Sequence, residues 1–275
     1  MQQKWRMMIA RFPYGGTERT EIVDWTASLV TWSKKQHNID TCLLWNVSDT
    51  PITMCRNLAV TAAIANNIDI LIMIDSDMSP DIDRSKPFVP EAFEFIKSRW
   101  HTAPTIIAVP YLSAGPDYVP TIGRWRSFKN GFEVKTDLYT REEASAMSGI
   151  QPCSLMGTGV MAMDMRIFTG FEISGEMVKL PPPWFYYEYT DEYQTQKAST
   201  EDMVFTRNAS MVFGAHGIEI GYCHWDCWAY HVKTQFVGKP WDTHLMDVVP
   251  VFSDKLLHEQ RMLNDGNKAP EVQVP

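Results

Sequence analysis

The first 110 residues alternate short apolar segments with amphipathic ones, and this alternation restricts the chain to a sheet covered by helices. Four segments have strand length and are bounded by turn residues: "WRMMIARFP" from Trp5, "TCLLWNV" from Thr41, "IDILIMID" from Ile68 and "TIIAVPY" from Thr105. Strands this continuously apolar suit a sheet buried on both faces. Between them, "TERTEIVDWTASLVTWSKKQ" carries apolar residues at Ile22, Val23, Ala27, Val30 and Trp32, a helical pattern. "TMCRNLAVTAAIANN" predicts a second helix with Leu58, Ala62 and Ile64 on one side, and "VPEAFEFIKSRW" a third with Pro90 near its start. Strand, helix, strand, helix is the signature of a doubly wound α/β sheet, whose ligands bind beyond the carboxyl ends of the strands.

The 275 residues are 45% apolar and 21% charged, enough to bury one sizeable core. A net charge of −8 argues against a surface built to wrap nucleic acid, because neutralising phosphates requires clustered Lys and Arg. Five scattered cysteines without a secretory leader favour reduced thiols, and the opening "MQQKWRMMIARF" is too short an apolar run for a signal peptide. No segment approaches the roughly 20 apolar residues a membrane helix requires. The expected setting is the cytoplasm, that of the host cell if the chain is viral, with no membrane partner.

The second half is less regular. "TIGRWRSFKNGFEVKTDL" predicts a hairpin turning at Asn130 and Gly131, and "LMGTGVMAMDMRIF" a strand followed by a helix. Prolines keep "LPPPWFYYEYT" out of a helix, leaving an aromatic loop. "EDMVFTRNASM" returns to helix and "IEIGYCHWDCWAYHVK" to strands. One domain over residues 1–262 and a loose tail over 263–275 are expected.

The run ending "IDSDMSP" places Asp75 and Asp77 at the mouth of the most apolar strand. On a strand, residues two apart share a face, so the two carboxylates would repel by roughly 2–3 kcal/mol at an effective dielectric near 20. A divalent cation relieves that cost and also neutralises a nucleoside diphosphate. The plainer account is a polar turn in which Asp77 or Ser79 caps the next helix. An EF-hand loop is excluded, since Pro80 stands where Gly is required and Lys86 where Glu is required.

Other motifs keep company with this pair in a fixed order: "CRNLAV" at Arg56 and Asn57, "MIDSDMSP", "GTGVMAMDMRIF", "STEDMVF" and "YHVK". On these residues the chain resembles the GT-A glycosyltransferases, nucleotide-sugar-dependent enzymes, and in particular their inverting, family-2-like members. The resemblance implies a single-domain, Rossmann-like, mixed and mostly parallel sheet flanked by helices. It implies a metal site of Asp75, Asp77 and His231 holding Mn2+ or Mg2+, with the His nitrogen favouring manganese. A nucleotide-sugar donor, a UDP-sugar above all, would lie against Pro13, Tyr14, Arg56, Asp75, Ser76, Gly157, Thr158, Gly159 and Lys233. Asp202 would be the general base that takes a proton from the acceptor hydroxyl. Trp184, Phe185 and Glu201 would line the acceptor side.

Each residue also has a structural explanation. Asp202 is favoured at a helix start by the macrodipole, whereas Arg56 is disfavoured there. Gly157 and Gly159 could serve a tight strand start, and the rings from Trp184 to Tyr187 could seal the core. Cys223, Cys227 and His231 in "CHWDCWAYH" could suggest zinc, but the spacing and two nearby tryptophans favour a packed strand. His101, His216 and His224 show no partner pattern. The acceptor hydroxyl could belong to a protein, a glycan or a hydroxymethylated DNA base, the last served by a basic strip of Arg124, Arg126, Lys129 and Lys135. The alternatives are a nucleotidyltransferase, for which "RFPYGGTER" offers Gly15, Gly16 and Arg19, and a non-catalytic sugar-nucleotide or carbohydrate-binding module.

Overall fold

A computed structural model describes residues 3–232, apart from 14–17, 48–50, 82, 84, 114–119, 130–132 and 195–196 and the side chains of 125–136. Tyr14, Lys233 and the expected tail over 263–275 lie outside the described residues. The first half runs β1 (Trp5–Phe12), α1 (Thr20–Lys35), β2 (Ile39–Asn46), α2 (Ile52–Ala65), β3 (Ile70–Asp75), β4 (Met78–Ser79), α3 (Phe88–Arg99) and β5 (Ile106–Ala108). The expected hairpin follows as β6 (Ile122–Lys129) and β7 (Glu133–Leu138), then α4 (Arg141–Ser145), β8 (Ile150–Pro152), β9 (Leu155–Met156), β10 (Val160–Asp164) and α5 (Arg166–Thr169). Two small ribbons, β11 (Phe171–Ile173) with β12 (Glu176–Val178) and β13 (Glu188–Tyr189) with β14 (Lys197–Ser199), lead to α6 (Glu201–Gly214), β15 (Gly221–His224) and β16 (Tyr230–His231).

Seven strands form the central sheet in the order β2-β1-β3-β10-β5-β15-β8. Five of them share one direction, while β10 and β8 run against their neighbours. This is the mixed, mostly parallel α/β sheet flanked by helices that the sequence predicts. The two-residue period of a strand divides the core. Met8, Ala10, Leu71 and Met73 join Ala59, Val60, Phe205 and Phe213 from α2 and α6, whereas Met7, Ile9, Ile70, Ile72 and Ile74 join Ile22, Trp25, Phe93 and Ile96 from α1 and α3.

Three expectations are corrected. β2 is an edge strand, and edge position leaves its Leu44 and Trp45 exposed. The buried stripe of α2 is Cys55, Arg56, Ala59, Val60 and Ala63, so Leu58 faces outward. That of α1 is Ile22, Trp25, Thr26, Leu29 and Ser33, leaving Val23 exposed. In helices apolar on several sides, contact with the sheet selects the stripe, and spacing alone does not.

Candidate active site

Asp75 ends β3, and alternation from Ile74 turns it to the α2 and α6 side. There Arg56, on the buried stripe of α2, donates from Nη2 to both Asp75 oxygens at 2.8 Å and from Nη1 to Glu201 on α6. Arg56 is 3% exposed. Burial works to discharge the guanidinium, but Asp75 and Glu201 outweigh it and hold its pKa above the ordinary value. Burial likewise pushes the Asp75 carboxyl up to about 6, Arg56 acting against the rise and Asp77 and Glu201 with it. Of the Arg56 nitrogens, Nη1 and Nη2 are engaged by Glu201 and Asp75 inside the fold, while Nε has no partner among the described residues. Glu201, expected on the acceptor side, is the second partner of Arg56.

The strand stops at Asp75, and Ser76 and Asp77 form a turn into β4. The two aspartates therefore do not share a strand face. Asp77, exposed, accepts from His231, with Oδ2 and Nε2 2.9 Å apart; partial burial works to raise its pKa, but the His231 hydrogen bond and charge outweigh it and hold the carboxyl below the ordinary range. His231 arrives on β16, which pairs with β4, and the Val232 N–H donates to the Asp77 carbonyl at 2.7 Å. Half-buried Ser76 sits between the two aspartates, and Pro13 is buried just beyond β1.

Tyr111, at the carboxyl end of β5, connects these groups and was not singled out by the sequence. Its ring meets His231 edge-on at 5.7 Å, and its hydroxyl accepts from the Gly159 N–H at 3.3 Å. Burial first, then the charges of Asp202 and Asp75, push its phenol well above the ordinary value. Being a bulky residue just after a strand end was the only available signal. The Gly159 carbonyl in turn accepts from the Asp75 N–H at 2.9 Å.

Tyr111 supplies a structural reason for glycine at both 157 and 159. A Cβ at Gly157 would fall 2.2 Å from the Tyr111 Oη, and one at Gly159 2.8 Å from its ring. Gly157→Ala should therefore lower stability by about 1–3 kcal/mol through overpacking, read as a shift in the urea midpoint. A midpoint equal to that of the parent would show that Tyr111 does not occupy this space. Thr158 between them is buried, with no hydrogen-bond partner for its hydroxyl among the described residues.

Asp202 lies in the first turn of α6, where its Oδ1 accepts from the Thr200 hydroxyl and from the Met203 N–H at 2.8 Å. Its charge acts on both Arg56 and Tyr111, which places it in the same cluster. The expected acceptor platform is corrected. Phe185 is 1% exposed and stacks on Phe205, while Trp184 packs against Phe168 and donates its indole N–H to the Leu180 carbonyl. Asn57 fixes both rings by accepting from their backbone N–H groups and donating to the Phe185 carbonyl. Of the basic strip, Arg124 pairs with Glu143 at 2.5 Å in an exposed ion pair; the side chains of Arg126, Lys129 and Lys135 lie outside the described residues.

No protein-family model matches the chain, and no curated protein matches it. Among solved structures, A197 from STIV is similar over 83% of this chain and 86% of its own, at 13% identity and a TM-score of 0.50. An apo UDP-glucose pyrophosphorylase overlaps 79% of this chain and 72% of its own, at 10% identity and a TM-score of 0.35. The similarity to A197 establishes a shared fold. Among the described residues, no helix is long and apolar enough to cross a membrane.

Proposed function

We propose that the chain is a metal-dependent, inverting glycosyltransferase that moves a sugar from a nucleoside-diphosphate sugar to a hydroxyl acceptor. The observation that carries this reading is the convergence, at the carboxyl end of β3, of the Asp77–His231 pair with the Arg56–Asp75–Glu201 bridge and Asp202. Ligands of open α/β sheets bind at such strand ends. Asp77 and His231 fit a divalent cation, since they present one carboxylate oxygen and one imidazole nitrogen 2.9 Å apart at an exposed edge. Both Asp75 oxygens are engaged by Arg56, so Asp75 supports the site from behind. This oxygen and nitrogen set suits manganese better than magnesium. When bound, the cation would neutralise charge on the departing diphosphate.

Asp202 would accept the proton of the acceptor hydroxyl as that oxygen attacks the anomeric carbon. The bond from that carbon to the diphosphate breaks on the opposite side, so one displacement inverts the centre and releases a nucleoside diphosphate. The unpartnered Thr158 hydroxyl supports a polar ligand nearby, because a buried hydroxyl without a partner is costly. Calorimetric titration of UDP and UDP-sugars in the presence of manganese tests the reading. Asp77→Ala and His231→Ala should each weaken nucleotide binding at least tenfold, and unchanged isotherms in both would remove the metal-dependent donor site. Release of pyrophosphate from a nucleoside triphosphate, in place of UDP or GDP from a sugar nucleotide, would identify a nucleotidyltransferase instead.

A further inference from the structure

On the face of the sheet opposite Arg56, three metal-ligating side chains meet from separate elements. Tyr222 and His224 are two apart on β15 and point to the α3 side, where Tyr222 meets Phe95 edge-on at 4.9 Å. His224 Nε2 lies 2.6 Å from Oε2 of Glu91, in the first turn of α3. A turn closed by the Cys227 N–H on the His224 carbonyl, at 3.1 Å, brings Cys227 back to the same place. One ligand atom from each of Glu91, His224 and Cys227 lies within 4.8 Å of the other two.

A histidine–glutamate hydrogen bond beside a thiol does not account for all that is present. His224 is buried, Glu91 takes one ring nitrogen, and Nδ1 has no partner among the described residues, so the imidazole has coordinating capacity to spare. The surroundings are acidic as well. Burial first, then Glu91, Asp81 and Asp226, push the Cys227 thiol up to about 12, with only Lys86 acting the other way. The negative charge of Glu91, Asp81 and Asp226 favours a cation here, and a bound cation in turn favours the thiolate. Glu91 is half-exposed, so an ion can reach the cluster from solvent.

We propose that Glu91, His224 and Cys227 hold a divalent transition metal, zinc by preference, which clamps the start of α3 to the segment carrying His231. Sulfur, nitrogen and oxygen ligands together select zinc or cobalt over the hard ions. Tetrahedral zinc sets ligand atoms roughly 3.4–3.6 Å apart, within reach of side-chain rotation from the present spacing. On binding, the Cys227 S–H, now donating to the Lys86 carbonyl at 3.2 Å, gives its proton to solvent and its sulfur bonds the metal. Water from the exposed Glu91 edge fills the fourth position. Cys223, adjacent to His224 on the strand, faces the other core, which explains why the Cys223, Cys227 and His231 trio of the sequence is not the one assembled.

The site stands independently of the glycosyltransferase reading, so it is tested in the full chain carrying Asp77→Ala and His231→Ala. Cobalt should bind at one equivalent with a near-ultraviolet thiolate-to-cobalt charge-transfer band. Adding Cys227→Ser should abolish the band, and Glu91→Gln should keep it while weakening cobalt binding at least tenfold. A folded protein without the band, or a band that survives Cys227→Ser, overturns the proposal. Should Cys227→Ser not fold, the more exposed Glu91→Gln decides alone: unchanged cobalt affinity overturns the site.

Discussion

Arg56→Ala should destabilise the protein by about 3–5 kcal/mol, the cost of removing one partner from a buried ion bridge. Arg56 is almost fully buried, and its loss leaves Asp75 and Glu201 facing each other without a counter-charge. It also removes packing against the Phe12 and Phe185 rings, each about 6 Å from the guanidinium. Arg56→Lys should recover only part of the loss, since one ammonium cannot reproduce a fork that grips both Asp75 oxygens and Glu201. The deficit should depend on pH. In the parent, Asp75 titrates near 6 rather than 3.8, so its charge lowers stability as pH rises from about 4 to 6 and no further beyond. Without Arg56, which opposes that rise, the titration moves higher still. The variant should then continue to lose stability above pH 6, widening the gap. Urea denaturation at pH 5 and pH 8 reads both effects, and a small, pH-independent deficit would show that the bridge contributes little.

Asp202→Asn should reduce kcat by about 10²–10⁴-fold while leaving donor affinity unchanged, because a positioned general base contributes on that order. The substitution is a clean one here. Both hydrogen bonds that orient the Asp202 carboxylate, from the Thr200 hydroxyl and the Met203 N–H, fall on Oδ1. An asparagine Oδ1 can accept both, so the geometry is kept and basicity alone is removed. Single-turnover transfer measured beside calorimetric donor binding separates the two quantities. Transfer at the parent rate would assign the base elsewhere, and an equal fall in binding and rate would mark Asp202 as a donor ligand.

The candidate site was partly legible from the chain alone because the residues it groups lie in local motifs at element ends. Asp75 closes the most apolar strand, Asp77 lies in the turn just after it, Asp202 sits in the first turn of a helix, and His231 ends a short strand. Their environments were not legible. Nothing near Arg56 in sequence shows that it turns inward to meet Glu201, 145 positions away, so a diphosphate contact was the natural expectation. Phe185 looked available in a proline-rich loop until α6 supplied Phe205 to cover it. His224 showed no partner because its glutamate lies 133 positions earlier.

Hydrophobic periodicity by itself determined the order and type of the main elements, since burying a strand face or a helix stripe is a demand each segment makes locally. Only the tertiary structure decided that β10 runs antiparallel between β3 and β5, which stripe of α1 and α2 turns inward, and which charges become partners. Those outcomes depend on contacts between distant segments, where burial magnifies each unpaired charge and fixes the pairing that relieves it.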